Sequence, residues 1–84
     1  MCRYFFHLVN DSSSIPDKEG QELANREAAC AVARRTAGEL IAHEVGAGRD
    51  IVHLTIMIDD EAGARVANLK AVANVVVSEN PLVP

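Results

Sequence analysis

The chain has 84 residues, 49% of them hydrophobic, and a net charge of −4 at pH 7. This length supports one domain with a single two-layer core, and the negative charge without a basic run disfavours binding to nucleic-acid phosphates. No apolar run approaches the roughly 20 residues that cross a bilayer, and the first residues lack a signal-peptide pattern. We therefore expect a cytoplasmic protein without a membrane segment, with one domain at residues 1–78 and a flexible tail at 79–84.

The first predicted strand is Arg3 to Val9 (RYFFHLV), which is rich in aromatic and branched residues. Alternation along a strand puts Tyr4, Phe6 and Leu8 on one face and Phe5 on the other. We assign the face of Tyr4 to the core, because the helix predicted downstream is rich in alanine and needs large side chains opposite it.

The only long predicted helix covers residues 25–45 (NREAACAVARRTAGELIAHEV). A proline-containing turn precedes it, so we expect no more than a short edge strand, either near 14–15 or around 21–23. Asn25 is the predicted N-cap, and Gly46 and Gly48 are the predicted left-handed residues at the end. The core-facing stripe consists of Ala29, Cys30, Ala33, Ala37, Leu40 and Ile41.

The second half of the chain predicts a β-hairpin. Residues 51–58 (IVHLTIMI) are the strongest strand signal, with Val52, Leu54, Ile56 and Ile58 facing the core. An acidic turn at 59–63 leads to a returning strand at about 64–69, although the segment 64–73 also contains good helix formers. The valines at 75–77 could extend the sheet. The predicted fold is α+β, an antiparallel sheet of three or four strands with one helix packed across one face, in the order β-β-α-β-β.

Two histidines, His7 and His53, fall on the same face of the predicted sheet, and a metal ion between them is one alternative function. Neither belongs to the short His or Cys spacings of zinc sites. The consecutive acids at 59–61 lie on a turn, where carboxylates face solvent, and we expect Cys2 and Cys30 to be thiols. We find no motif for a nucleophile, a paired acid and base, or a cofactor. We therefore expect no enzyme and no catalytic, cofactor-binding or metal-binding residues.

Five short motifs carry a family resemblance. They are Arg3-Tyr4-Phe5-Phe6-His7, Asp17-Lys18-Glu19-Gly20 followed by Glu22-Leu23, Glu27-Ala28-Ala29, Ala37-Gly38-Glu39-Leu40, and Asp60-Glu61-Ala62-Gly63. In this order they resemble a family of short bacterial proteins catalogued as domain of unknown function 6894, over positions 3–69. After Leu69 the chain departs from the pattern that we expect of the family. The resemblance implies this order of elements and a bacterial cytoplasmic setting, and it implies no reaction, because the family has no established activity.

The face of the predicted sheet opposite the helix is the candidate interaction surface. It carries Arg3, Phe5, His7, His53, Thr55 and Met57. An aromatic ring, a methionine and histidines gathered on one uncovered surface are typical of an interface. We therefore predict a module that forms a homodimer or other homo-oligomer, or binds an unidentified protein partner, through this face or through a strand edge. If the C-terminal tail folds over the face instead, these side chains belong to the core.

A nucleic-acid-binding accessory protein is a further alternative. In that case bases would stack on Phe5, and Arg3, His7, Arg34 and Arg35 would contact the strand. The net charge of −4 argues against this function.

Overall fold

The fold follows the predicted order of elements, with one more short strand before the helix than the order β-β-α-β-β contains. A computed structural model describes residues 1–11 and 13–81. Within these residues the elements are β1 (Cys2–Asn10), β2 (Ser14–Ile15), β3 (Gln21–Leu23), α1 (Arg26–Gly46), β4 (Ile51–Asp59) and β5 (Arg65–Asn74). One helix and an antiparallel sheet make an α+β domain, so the predicted fold class is confirmed.

The sheet is built around β1 and β4, which pair antiparallel with Leu8 opposite Ile56. β5 pairs with the other side of β4. β2 and β3 both pair with the outer edge of β1, β2 near its end at Leu8 and β3 near its start at Arg3. Both of the edge strands that we expected as alternatives are therefore present, one at each end of the same edge.

The returning strand β5 is longer than the predicted 64–69. It stays paired with β4 from Arg65 to Asn74, with one irregularity at Ile58 and Asp59. The good helix formers of this segment adopt a strand because β4 offers a continuous row of partners, and such tertiary pairing overrides weak local propensity. We expected that the valines at 75–77 could extend the sheet, but β5 ends at Asn74. One hydrogen bond continues the pairing, in which the Val75 N–H donates to the Asp50 carbonyl at 2.7 Å.

The helix begins where the sequence indicates. The Asn25 side chain accepts a hydrogen bond from the Ala28 N–H at 2.9 Å, which confirms the N-cap. At the other end the helix includes Gly46, and the chain turns away from the helix at Gly48, which has φ of +101°. Only one of the two glycines therefore supplies the left-handed residue.

The core lies between α1 and one face of the sheet. Ala29, Ala33 and Ala37 are buried on the helix, and Ile56 and Ile58 are each 1% exposed beneath them. Because alanine is short, the helix approaches the sheet closely, and burial of each isoleucine stabilises the domain by about 1.5–3 kcal/mol. The remaining partly buried members of this core include Phe6, Leu8, Leu23, Cys30, Leu40 and Ile41. The predicted helix stripe and the predicted core face of β1 are confirmed.

Beyond β5 the described chain has no regular structure up to Pro81. Val76 and Val77 are 81% and 75% exposed, so these two side chains do not fold back over the sheet. The tail predicted at 79–84 lies partly outside the described residues and stays a prediction. In the part of the chain that the structure describes, no helix has the combined length and hydrophobicity needed to span a bilayer.

Candidate interaction surface

The face of the sheet opposite α1, which we call the open face, carries the candidate residues. Alternation places on it the six predicted residues and three more apolar ones: Arg3, Phe5, His7, Val9, Ile51, His53, Thr55, Met57 and Val72. Val72 is 64% exposed and Ile51 is 54% exposed. Val9 and Ile51 could have been selected from strand alternation alone, but Val72 could not, because its face depends on the register of β5.

The register brings some predicted residues together and separates others. His7 lies opposite Met57, and Val9 lies opposite Thr55. His53 lies beyond the end of β1 and faces Val72 on β5. His7 lies beside Met57, and His53 is four residues from Met57 on the same strand. The two histidines are therefore about 13 Å apart along the strand direction. They cannot share a metal ion, so the metal-site alternative is wrong for this pair.

His7 is held on both sides by hydrogen bonds. Its Nδ1 accepts the backbone N–H of Asp17 at 3.0 Å, and its Nε2 lies 3.2 Å from Asp59 Oδ2. A backbone N–H can only donate, so Nδ1 carries no hydrogen and Nε2 donates to the carboxylate. The hydrogen bond from Arg65 to Asp59 lowers the pKa of the Asp59 carboxyl, with His7 adding to the effect. His7 therefore fixes the sheet edge and has no free nitrogen for a ligand.

Asp17 completes the edge of β1 between β2 and β3, and sequence reasoning did not select it. Its Oδ2 accepts the Phe6 N–H at 3.0 Å, and its Oδ1 accepts the N–H groups of Glu19 and Gly20 at 3.1 Å. Burial opposes ionisation of this carboxyl, but the three backbone donors and nearby His7 outweigh it, so the pKa of Asp17 is lowered. The signal that could have identified it is the Asp-Lys-Glu-Gly turn, because Asp accepts from the backbone two and three residues ahead.

The loop that Asp17 organises also covers part of the open face. Gly20 has φ of +71°, and a Cβ placed on it would lie 2.9 Å from a ring carbon of Phe5. Arg3 donates to the Glu19 carbonyl at 2.8 Å and lies 3.5 Å from the carboxylate of Glu22. Phe5 and Arg3 are therefore half-buried by contacts within the chain, and the accessible part of the face shifts toward β4 and β5.

The residues proposed for nucleic-acid binding do not form one surface. Arg34 and Arg35 are exposed on α1, whereas Arg3, Phe5 and His7 belong to the open face on the other side of the sheet. Bases stacked on Phe5 would be separated from both helix arginines by the whole sheet. The structure does not bring this set together.

A groove of about 530 Å³ lies on the helix side of the sheet, between α1 and β5. It is lined by Cys30, Ala33, Arg34, Ala37, Gly38, Ile41, Ile58, Ala67, Asn68, Leu69, Lys70 and Ala71. Among these described residues Arg34 is cationic and none is acidic, although the chain as a whole has a net charge of −4. Lys70 lines the groove with its backbone, because it lies opposite Thr55 and its side chain points to the open face. Sequence reasoning did not identify this groove, because it arises from the small side chains that face each other on two separate elements.

These features define a small α+β module with one helix on one face of an antiparallel sheet. The chain belongs to the family described as Domain of unknown function (DUF6894), whose model matches residues 3–73. The match confirms the resemblance, and it continues past Leu69, where we expected the chain to depart from the family. No curated protein and no solved structure matches the chain.

Proposed function

We propose that this domain is a protein-interaction module that binds a second copy of itself through the open face. The observation that carries the proposal is the uncovered sheet. α1 packs on one face only, and the other face presents Val9, Met57 and Val72 without a second layer in the described chain. Contiguous apolar side chains of this kind on a small domain mark an interaction surface.

The size of the open face fits a dimer. Its strands occupy four positions in the sheet, and at normal strand spacing and length the face measures about 19 Å by about 30 Å. This area of about 570 Å², reduced where the loop at Gly20 lies against Phe5, is below the about 800 Å² per partner of a standard interface and corresponds to the smaller class of specific interfaces. Two such faces can stack as in a β-sandwich, about 10 Å apart.

The chemistry of the face suits a copy of itself better than a charged partner. Its centre is formed by Val9, Thr55 and Met57, and a charged side chain, Lys70, lies beside it opposite Thr55 on β5. Asp59 is already engaged by Arg65 and His7 at one end. A partner that supplies the same apolar centre buries no carboxylate there, and the long stem of Lys70 on the outer strand β5 can carry its ammonium group to the solvated rim.

The proposal also places the domain in the bacterial cytoplasm. Cys2 and Cys30 are both free cysteines, which fits a reducing compartment. Self-association there requires no disulfide.

Met57→Lys tests the open face, because it puts a charge at the centre of the face while its long stem can bend toward solvent in the monomer. Ala42→Lys, at an exposed position on α1, is the matched control with the same added charge. Sedimentation equilibrium at micromolar concentration is expected to show an oligomer for the wild type and the control, and half that mass for Met57→Lys. Circular dichroism checks that all three are folded. A folded Met57→Lys variant with the mass of the control would refute the proposal.

A further inference from the structure

The outer edge of β5 is an unpaired strand edge. β5 pairs with β4 on one side, and no described strand pairs with its other side. Since the Val75 N–H points toward β4, alternation sends the N–H and C=O groups of Asn68, Lys70 and Val72 outward. Such a row of free backbone donors and acceptors is a template for an added strand.

The segment that follows β5 is suited to be that strand. Three consecutive valines, 75–77, have high β propensity, and Val76 and Val77 are largely exposed. No turn residue separates them from Asn74, the last residue of β5. The segment therefore continues the direction of β5 and cannot reverse onto the outer edge of its own strand, so the β5 edge that it can pair with belongs to another chain.

We propose that the outer edge of β5 binds residues 75–79 of a second copy as an added antiparallel strand. Antiparallel pairing of two identical edges is reciprocal, so each copy receives the segment of the other around one two-fold axis. The two helices then lie on the same side of a continuous sheet. This interface uses the backbone edge of β5, whereas the open face is centred on Val9, Thr55 and Met57. The side chains of Lys70 and Val72 belong to the open face, so the test of the edge needs a control that also removes the Lys70 charge.

The register between the two copies is limited, because a residue whose backbone N–H and C=O point outward must lie opposite another such residue of the second copy. With Ala73 on the two-fold axis, Lys70 lies opposite Val76 of the second copy. On the helix side, Leu69 then lies opposite the second copy's Val77, and Ala71 lies opposite its Val75. Leu69 and Ala71 both line the groove between α1 and β5, so the incoming valines would fill it.

Charge favours the same occupant. The cation on the helix side of the groove is Arg34, and no acid is among its described lining residues. The incoming segment carries one acid, Glu79, and no base between residues 75 and 81. In the proposed register Glu79 lies opposite Ala67, which also lines the groove. The segment thus provides apolar side chains for the apolar lining and one carboxylate on the side of the sheet that carries Arg34.

Lys70→Pro tests the edge directly. Proline lacks the outward N–H, which the monomer does not use, and proline is tolerated on the solvent side of edge strands. Lys70→Thr is the matched control, because it also removes the charge but keeps the N–H and a β-branched side chain. A second pair, Val77→Asp and Val77→Thr, tests the incoming segment at a position that is 75% exposed in the single chain.

Sedimentation equilibrium is expected to give half the control mass for Lys70→Pro and for Val77→Asp, and no change for either threonine variant. Hydrogen exchange in the wild type is expected to show protection of the outward amides of Asn68, Lys70 and Val72. Equal masses for Lys70→Pro and Lys70→Thr would refute edge pairing. A loss of mass in Lys70→Pro without a loss in Val77→Asp would refute the assigned occupant.

The two interfaces are separable by experiment. If both exist, the wild type is a tetramer, Met57→Lys and Lys70→Pro are each dimers, and the double variant is a monomer. If only the edge exists, Met57→Lys keeps the mass of the wild type and Lys70→Pro is monomeric. If only the open face exists, the reverse holds, and the edge proposal fails alone.

Discussion

Replacing Gly20 by alanine should weaken the domain more than any other glycine substitution in a turn. Gly20 has φ of +71°, and an added Cβ would lie 2.9 Å from Arg3 Cγ, from Phe5 Cε2 and from the Tyr4 carbonyl oxygen. The two side chains can shift, but the carbonyl belongs to the backbone of β1. The loop that seats Asp17 on the strand edge must therefore move.

The expected cost has two parts. A left-handed conformation costs an L residue about 1–2 kcal/mol, and forcing a methyl group into filled space costs about 1–3 kcal/mol. Together they approach about 2–5 kcal/mol, which is a large share of the about 4–13 kcal/mol typical of a domain of this length. Gly63 provides the control, because its φ is +84° and nothing lies within 4 Å of an added Cβ. Gly63→Ala should therefore show only the conformational cost.

Urea unfolding followed by circular dichroism measures both free energies of unfolding. We expect Gly20→Ala to be less stable than Gly63→Ala by about 1–3 kcal/mol, with an unchanged m-value. If the two variants lose the same free energy, the close packing of Gly20 against β1 contributes nothing and the reasoning is refuted.

Three further predictions concern the hydrogen bonds that position the loop and the helix. Asn25→Ala removes the N-cap and should lower the free energy of unfolding by about 1 kcal/mol, whereas Asn25→Asp should retain it; equal losses would exclude a capping role. Asp17→Asn replaces one of two accepting oxygens by an NH2 group, which must face the N–H of Phe6 or those of Glu19 and Gly20, and it should cost about 1–3 kcal/mol near pH 7. Because the pKa of Asp17 is lowered on folding, the stability that it contributes is present above its ordinary pKa and is lost as the pH falls through the folded value. The difference between wild type and Asp17→Asn should therefore shrink in acid, and urea titrations at several pH values can show this; a constant difference would contradict the ionised state. The His7 ring should carry its hydrogen on Nε2 in the neutral form, and ¹⁵N chemical shifts would contradict this assignment if Nδ1 were the protonated nitrogen.

The open face shows how far local patterns reach. Alternation along two strands correctly placed Phe5, His7, Thr55 and Met57 on one side of the sheet, because side chains alternate whatever the strand pairs with. It could not show that His7 lies opposite Met57 and far from His53. That distance depends on strand register, which is a property of two segments and not of either one.

The loop at Asp17 shows a second limit. An aspartate followed by a glycine three residues later predicts a turn, and the turn exists. The Asp17 carboxylate also accepts the Phe6 N–H, which would otherwise bond to a neighbouring strand. The Asp17 N–H donates to the His7 ring. These contacts join residues ten and eleven positions apart, so they form only after the loop folds back on β1.

The sequence by itself determined the elements and their buried sides: an N-capped helix with an alanine stripe, and strands whose large side chains face it. These features arise from backbone geometry and from the burial of apolar side chains within a few consecutive residues, so they can be recognised in isolation. Only the tertiary structure decided which strand became the free edge, that the returning strand continues from residue 69 to residue 74, and where the groove lies. Each of these depends on contacts between distant segments, whose free energy exceeds the weak local preferences of either partner.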